Sequence, residues 1–293
     1  MLKSDRVRIF SDFLFIDKPS GITSFDVVRS VRRLLPSKIK IGHTGTLDPL
    51  ATGLLILSIG KATRFGEYLL KLDKCYEVTG KFGFSSDTYD IDGNVVKVPA
   101  KKLSEKEFTF VLKSFLGKIE QTPPPFSAVR IKGKRAYELA RSGEKVSIPP
   151  RIVEIYTIDV LNYSFPEFTL KVCCSSGTYI RSLIHDIGVS VGTDAVVTAL
   201  RRVSVGDISV EEAVPLSDLT EENIKAYLKP VQDVLPFDKL VLKDTFAVWF
   251  KNGRRINLQV SDGKYVVIEE NGRFLGVGSV KKGILLPEKV LSV

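Results

Sequence analysis

One carboxylate is set into a stretch that leaves it little freedom. Asp48 stands in Gly42-His43-Thr44-Gly45-Thr46-Leu47-Asp48-Pro49-Leu50-Ala51-Thr52-Gly53, with an imidazole five residues before it. The glycines allow tight turns and close backbone approach, and Pro49 fixes the backbone beside the acid. Leu47, Leu50 and the apolar run after Gly53 draw the segment toward a core, so the acid is held in place rather than left to wave in solvent. Other routes to chemistry are missing. There is no Gly-x-x-x-x-Gly-Lys-Ser/Thr loop, no serine elbow, and the glycines near Gly276 lack the strand–helix context of a dinucleotide loop. His43 and His185 do not combine with the three cysteines into a zinc spacing, so no metal and no cofactor is expected. Whatever chemistry exists must use carboxylate, phenol, guanidinium and imidazole.

The chain has 293 residues, enough for one large domain and a small one. No stretch nears the roughly 18 apolar residues of a membrane span. The first residues show no apolar segment followed by small residues, so a cytoplasmic protein without a secretory signal is expected. A net charge of +9 and a pI near 9.3 favour an anionic partner, of which nucleic acid is the commonest. Cys75, Cys173 and Cys174 are expected as reduced packing thiols, the last two on opposite faces of one strand.

The elements that must position Asp48 can be read from pattern. Phe13–Ile16 is a short strand ending in a turn at Asp17–Gly21. Thr23 with Asp26 starts a helix running to about Leu35. The apolar run Leu54–Gly60 predicts a buried strand, followed by a helix over Ala62–Leu72 and a strand over Lys74–Phe82. Asp90–Asn94 signals a hairpin turn, and Ser104 with Glu107 caps a helix closed by Gly117. Strands follow at Ile152–Tyr163 and Glu167–Cys174, a helix from about Thr178, then strands at Ala195–Leu200 and Val203–Ser209.

Two stretches depart from this pattern. Residues 121–151 carry Arg130, Lys132, Lys134, Arg135, Arg141, Lys145 and Arg151 against Glu138 and Glu144. Bracketed by prolines, they read as a basic excursion with a short helix near Ala136–Arg141. The stretch from Val231 to Leu242 reads as a linker. Beyond it, 238–293 holds ten Lys/Arg against six Asp/Glu and is expected to be short strands and glycine turns, a small basic β-barrel.

The Asp48 motif resembles the catalytic motif of the TruB-type tRNA pseudouridine synthases. Further stretches resemble that family in order and spacing: Asp17-Lys18-Pro19-Ser20-Gly21, Lys74-Cys75-Tyr76-Glu77-Val78, Ser175-Ser176-Gly177-Thr178-Tyr179-Ile180-Arg181, and Ala199-Leu200-Arg201-Arg202. The resemblance spans the chain, and the tail resembles a PUA RNA-binding module. It implies an α+β pseudouridine synthase fold, with a mixed, largely antiparallel central sheet flanked by helices and loops. It also implies a catalytic domain over 1–237 and a PUA barrel over 238–293. The activity implied is isomerisation of uridine 55 in the T-loop of tRNA to pseudouridine, by a monomer needing no protein partner.

That reaction breaks the C1′–N1 bond, rotates the uracil and forms a carbon–carbon bond. No redox change or external atom enters, so carboxylate chemistry suffices. Asp48 matches the family's catalytic aspartate, either attacking the nucleotide or abstracting a sugar proton. Arg181 would pair with it, and Tyr76 would stack on the flipped base with its phenol near the C5 proton. Leu200 would be an apolar wall, and His43 would support the flipped-out conformation. Lys18 contacts phosphate or simply finishes a strand. The basic excursion, with Arg130, Lys132, Lys134 and Arg135, resembles the thumb-like insertion that closes over the T-arm. The guide-RNA-dependent, dyskerin-like branch lacks a comparable insertion. A protein that only binds or folds tRNA would need no Asp48–Tyr76–Arg181 set.

Overall fold

The computed structural model describes residues 11–36, 39–127, 130–131, 134–135 and 148–291. In chain order the elements near the amino terminus are β1 (Phe13–Lys18), α1 (Ser24–Arg33), β2 (Ile41–His43), β3 (Thr52–Ile59), α2 (Gly66–Leu70) and β4 (Lys74–Phe82). Then come β5 (Phe84–Ser86), β6 (Val95–Lys97), α3 (Glu105–Leu112), β7 (Gly117–Gln121), β8 (Arg130–Ile131) and β9 (Lys134–Arg135). The second half holds β10 (Arg151–Ser164), β11 (Glu167–Cys174), α4 (Ile180–Ser190), β12 (Ala195–Val205), β13 (Ile208–Ser209), β14 (Val214–Pro215), β15 (Leu228–Lys229) and α5 (Val231–Val234). The tail contains β16 (Asp238–Leu242), α6 (Asp244–Lys251), β17 (Ile256–Asn257), β18 (Gly263–Glu269), β19 (Phe274–Lys281) and β20 (Ile284–Val290).

The central sheet runs β14-β1-β3-β12-β4-β11-β10-β7. Only β1–β14 and β3–β12 pair in parallel along that path, so it is mixed and largely antiparallel, as expected. The unbroken apolar runs of β1 and β3 follow from burial on both faces. Leu14, Ile16, Leu55 and Leu57 join one core with α1 and α4, while Phe13, Phe15, Leu54 and Ile56 join a second. Capping boxes at Thr23–Asp26 and Ser104–Glu107 start α1 and α3 where the sequence places them.

Several elements differ from expectation. The helix over Ala62–Leu72 is two pieces, a 3₁₀ turn at Gly60–Arg64 and the short α2. The break lets Gly66 press against β3, where an added Cβ would lie 2.8 Å from Ser58 Oγ. The two strands expected in 195–209 are one long β12, bent by register shifts against β4, followed by the short β13. The expected linker is absent. Val231 and Leu235 pack with Phe13, Phe15 and Leu54 and with Val266, Phe274 and Val277 of the tail, and β16 is already a strand of the tail's sheet. That sheet runs β16-β18-β19-β20-β17, and the tail also contains the helix α6, which the expectation of strands alone missed.

The cysteines also require correction. Cys75 and Cys173 are direct Cα partners in the antiparallel β4–β11 pair, 4.1 Å apart, and form a disulfide. Spacing could not show this, because the two residues are 98 positions apart. Cys174, on the other face, is the buried free thiol. In the basic excursion, β8 and β9 pair as a small hairpin that includes Arg130, Lys134 and Arg135. Lys132 and the expected helix Ala136–Arg141 lie outside the described residues.

Candidate active site

The Asp48 loop leaves β2, passes over the core and enters β3, and its neighbours fix it almost residue by residue. Ser24 Oγ, at the start of α1, accepts from the Leu47 amide (2.8 Å) and donates to the Leu47 carbonyl (3.1 Å). The Gly21 amide donates to Pro49 O at 2.9 Å, and Ser20 Oγ to Leu50 O at 2.9 Å. Leu47, Leu50 and Ala51 are buried beneath. Gly53 closes the loop at φ +97°, where an added Cβ would lie 2.3 Å from the Arg202 carbonyl oxygen, so only glycine fits.

Lys18 belongs to this scaffold. Its side chain is fully buried, and the ammonium donates to Ile22 O (2.6 Å), Pro19 O (2.8 Å) and Pro49 O (3.2 Å). Burial pushes the ammonium down to about 8, with the charge of Asp48 opposing. Its donors are engaged by backbone carbonyls that hold the motif against the loop, which favours the strand-ending role over the phosphate contact considered for Lys18.

Arg181 comes from the first turn of α4, whose Ile180, Leu183, Ile184 and Ile187 are sunk in the core. That packing buries the guanidinium as well. It meets Asp48 with two nitrogens: Nη2 donates to Oδ1 at 3.0 Å, and Nε lies 2.8 Å from Oδ2 as an ion-pair contact without hydrogen-bond alignment. Nη2 also donates to Phe126 O at 3.1 Å. Nη1 donates to Thr88 O at 2.8 Å and lies 3.3 Å from Asp90 Oδ2. The guanidinium is thus clamped between two carboxylates of unequal access, Asp48 with 32% of its side chain exposed and Asp90 with 5%. Burial pushes the Asp90 carboxyl up, while Thr88 and Arg181 pull the other way. Asp48 is the member that an incoming molecule can reach.

Tyr76 and Leu200 lie on facing strands of the same sheet. Tyr76 on β4 pairs with Arg202 on β12, and Val78 pairs with Leu200 two positions on, so these four share one face. Tyr76 and Leu200 are buried in the core that includes Leu47 and Leu50. Burial pushes the Tyr76 phenol up, and the neighbouring Arg202 guanidinium opposes that shift. His43 ends β2 opposite Leu57. Burial pushes its imidazole down, Arg202 adds to the effect, and the Gly45 backbone opposes it.

Asp90 and Arg202 were not read as site residues from sequence. Asp90 looked like a turn former, and its partner lies far along the chain. Arg202 sits in a quoted motif, yet nothing local says that its guanidinium is buried. Nε donates to Leu54 O at 2.7 Å and Nη2 to Gly45 O at 3.2 Å, tying both flanks of the Asp48 loop to β12. Of Arg130, Lys134 and Arg135 only the backbone is described. Among the described residues no group of three or more His, Cys, Asp or Glu is placed to hold a metal ion.

Comparison with known proteins identifies what the chain is similar to. Residues 32–180 match the model of the TruB family pseudouridylate synthase N-terminal domain. Residues 181–241 match the tRNA pseudouridylate synthase B C-terminal domain, and 239–291 match the C-terminal model of pseudouridine synthase II TruB. A tRNA pseudouridine synthase B from Aquifex aeolicus is 44% identical over 95% of this chain and 98% of its own. One from Clostridium perfringens is 42% identical over 94% and 97%. Among solved structures, a chain from an H/ACA RNP bound to a substrate RNA containing 2′-deoxyuridine superposes with a TM-score of 0.73. It is 24% identical and the match covers 100% of this chain and 88% of that one, a likeness of fold.

Proposed function

We propose that this chain, which belongs to the TruB pseudouridylate synthase family, converts uridine 55 in the T-loop of tRNA to pseudouridine. The observation that carries this is the Asp48–Arg181 ion pair, buried on the arginine side and open on the carboxylate side. A target uridine in a folded loop must be extruded before its glycosidic bond can be reached. In the flipped position it would meet Asp48, which attacks the nucleotide or abstracts a sugar proton while Arg181 holds the carboxylate in place as RNA excludes water. The freed uracil would turn against Tyr76 and the Leu200 wall and rejoin through C5. Its C5 proton leaves near the Tyr76 phenol, and His43 supports the flipped conformation at the loop's other end.

The relatives named tRNA pseudouridine synthase B match over nearly their whole length, which supports tRNA as substrate; on this reading the chain acts alone, as a monomer in the cytoplasm. The basic excursion 121–151 would hold the T-arm through phosphate, and the tail would add contacts toward the acceptor end. Among the described residues no helix is long and apolar enough to cross a membrane. The test is release of tritium from uracil C5, using unmodified tRNA and an isolated T-arm hairpin, with chelator present and no guide RNA. Release from both is the expected result. Release that requires an added guide RNA would point to the guide-dependent branch, and binding without release would make the chain a tRNA-binding protein only.

A further inference from the structure

Helix α4 presents Arg181 and His185 four residues apart, hence on one face, and both reach the segment Thr88–Asp90. Arg181 takes the Thr88 carbonyl and the Asp90 carboxylate. His185 lies flat on the Tyr89 ring between them, with centroids 4.0 Å apart and planes within 5°. Tyr89 has φ +64°, a left-handed conformation that large side chains rarely adopt. Such a residue persists where its surroundings over-determine it, and these outliers cluster at functional sites.

The surroundings of Tyr89 are fully specified. Its amide donates to Ser86 O (3.2 Å), its carbonyl accepts from the Val197 amide of β12 (3.0 Å), and the Ile91 amide donates to Val197 O (3.1 Å). Thr88 Oγ1 donates to Asp90 Oδ1 at 2.5 Å. On the other side of the stack, His185 Nδ1 sits 2.6 Å from Asp194 Oδ1, which also accepts from the Ala195 amide at 3.0 Å. The left-handed turn directs Tyr89 onto His185 and leaves the carboxylate of Asp90 facing Arg181. One helix thus grips three consecutive residues in two ways.

We propose that Tyr89 and His185 are positioning residues for the Asp48–Arg181 pair, their stack holding the Thr88–Asp90 segment against the rear of the guanidinium that Asp48 engages. This rests on the functional reading above. Displacing Thr88 O and Asp90 would let the guanidinium shift off Asp48 without touching either partner of that pair.

Tyr89→Gly tests it cleanly, because glycine keeps the left-handed backbone and removes only the ring. Single-turnover pseudouridine formation is expected to fall about ten- to a hundredfold, the scale of small misplacements of reacting groups. Dissociation constant for tRNA and melting temperature should stay at wild-type values. Tyr89→Phe, which keeps the stack, should turn over normally. His185→Ala should lose at least as much as Tyr89→Gly, because it removes the Asp194 contact together with the stack, and the double variant no more than His185→Ala. His185→Ala also reads the stack from its other side should Tyr89→Gly fail to fold. A Tyr89→Gly protein as fast as wild type overturns the inference, as does a Tyr89→Phe protein as slow as Tyr89→Gly. A wild-type chain inert on tRNA overturns the functional reading, and this inference with it.

Discussion

Asp48 and Arg181 are 133 residues apart in the chain, and their side chains meet through two contacts of 2.8 and 3.0 Å. The acid is presented by a loop pinned to α1 and β1, and the base by a helix sunk in the core. Neither partner needs to reorganise to find the other. Their exposure is unequal: the arginine is desolvated and committed, whereas the carboxylate keeps an open side, as the proposed function requires.

Asp48→Asn removes charge, nucleophile and base while keeping size. Pseudouridine formation should vanish with tRNA affinity nearly unchanged, since a negative charge adds no attraction for phosphate. Arg181→Lys should also cut turnover severely, because a point charge cannot copy the two-pronged contact or reach Thr88 O as well. Single-turnover rate, dissociation constant and melting temperature measured on one preparation of each decide the matter. A stable, tRNA-binding Asp48→Asn protein that still forms pseudouridine at near wild-type rate would sink the mechanism.

Lys18→Met should act through the scaffold. It leaves the carbonyls of Pro19, Ile22 and Pro49 short of a donor in a buried place, at a cost of about 1–3 kcal/mol for a stranded group. The expected result is a lower melting temperature and slower turnover with an unchanged salt dependence of tRNA binding. A salt slope reduced by about one unit would instead restore a phosphate contact for Lys18.

His43 gives a pH dependence. Its imidazole is pushed below the ordinary 6.5 by burial and by Arg202, so below that pH the unfolded chain binds a proton that the folded chain resists. Stability contributed this way is present above about pH 6.5 and is lost as the pH falls. His43→Gln should therefore lose less melting temperature between pH 7 and pH 5 than the wild type. Equal losses in the two proteins would show that the ring titrates freely when folded.

The Cys75–Cys173 bridge closes a long loop and joins β11 to the strand carrying Tyr76. Such a link is worth about 2–4 kcal/mol, which for a chain of this size is on the order of 5–10 °C of melting temperature. A reductant should lower the wild-type melting point by that amount. The same reductant should leave a Cys75→Ser, Cys173→Ser double variant unaffected. If both proteins melt alike with and without reductant, the bridge contributes nothing in solution.

What was legible in the sequence follows from the range of each interaction. Thr23–Asp26 and Ser104–Glu107 are local signals and stand where they were read. The doubly buried runs of β1 and β3 announce themselves by composition alone. Asp48, Tyr76, Arg181, Leu200 and His43 could be chosen through resemblance, while their mutual geometry came from the sheet register and from the loop and helix packed on that sheet. Asp90 was illegible because a carboxylate in a glycine-containing turn signals solvent unless its distant arginine is known. The Cys75–Cys173 pair was hidden for the same reason. Helix α6 failed differently: Asp244-Thr245-Phe246-Ala247-Val248-Trp249-Phe250 is rich in aromatic and β-branched residues that favour strands, and packing of Ala247 and Phe250 overrode that preference.

The core that Val231 and Leu235 share with β1, β3 and the tail's sheet has a consequence for recognition. Two binding surfaces on a flexible tether gain from each other through effective concentration and accept many relative placements of their targets. Surfaces fused through a common core cannot adjust in that way. Phe274 meets Phe65 edge to face, Arg64 donates to Val290 O, and Glu288 accepts from Tyr68, so the tail is bolted at its rim as well as at its centre. An RNA that offers the right loop on a differently angled stem would then lose one contact set in order to make the other. If both surfaces meet one RNA, as the proposed function has it, the seam between tail and sheet converts affinity into a test of the partner's three-dimensional shape.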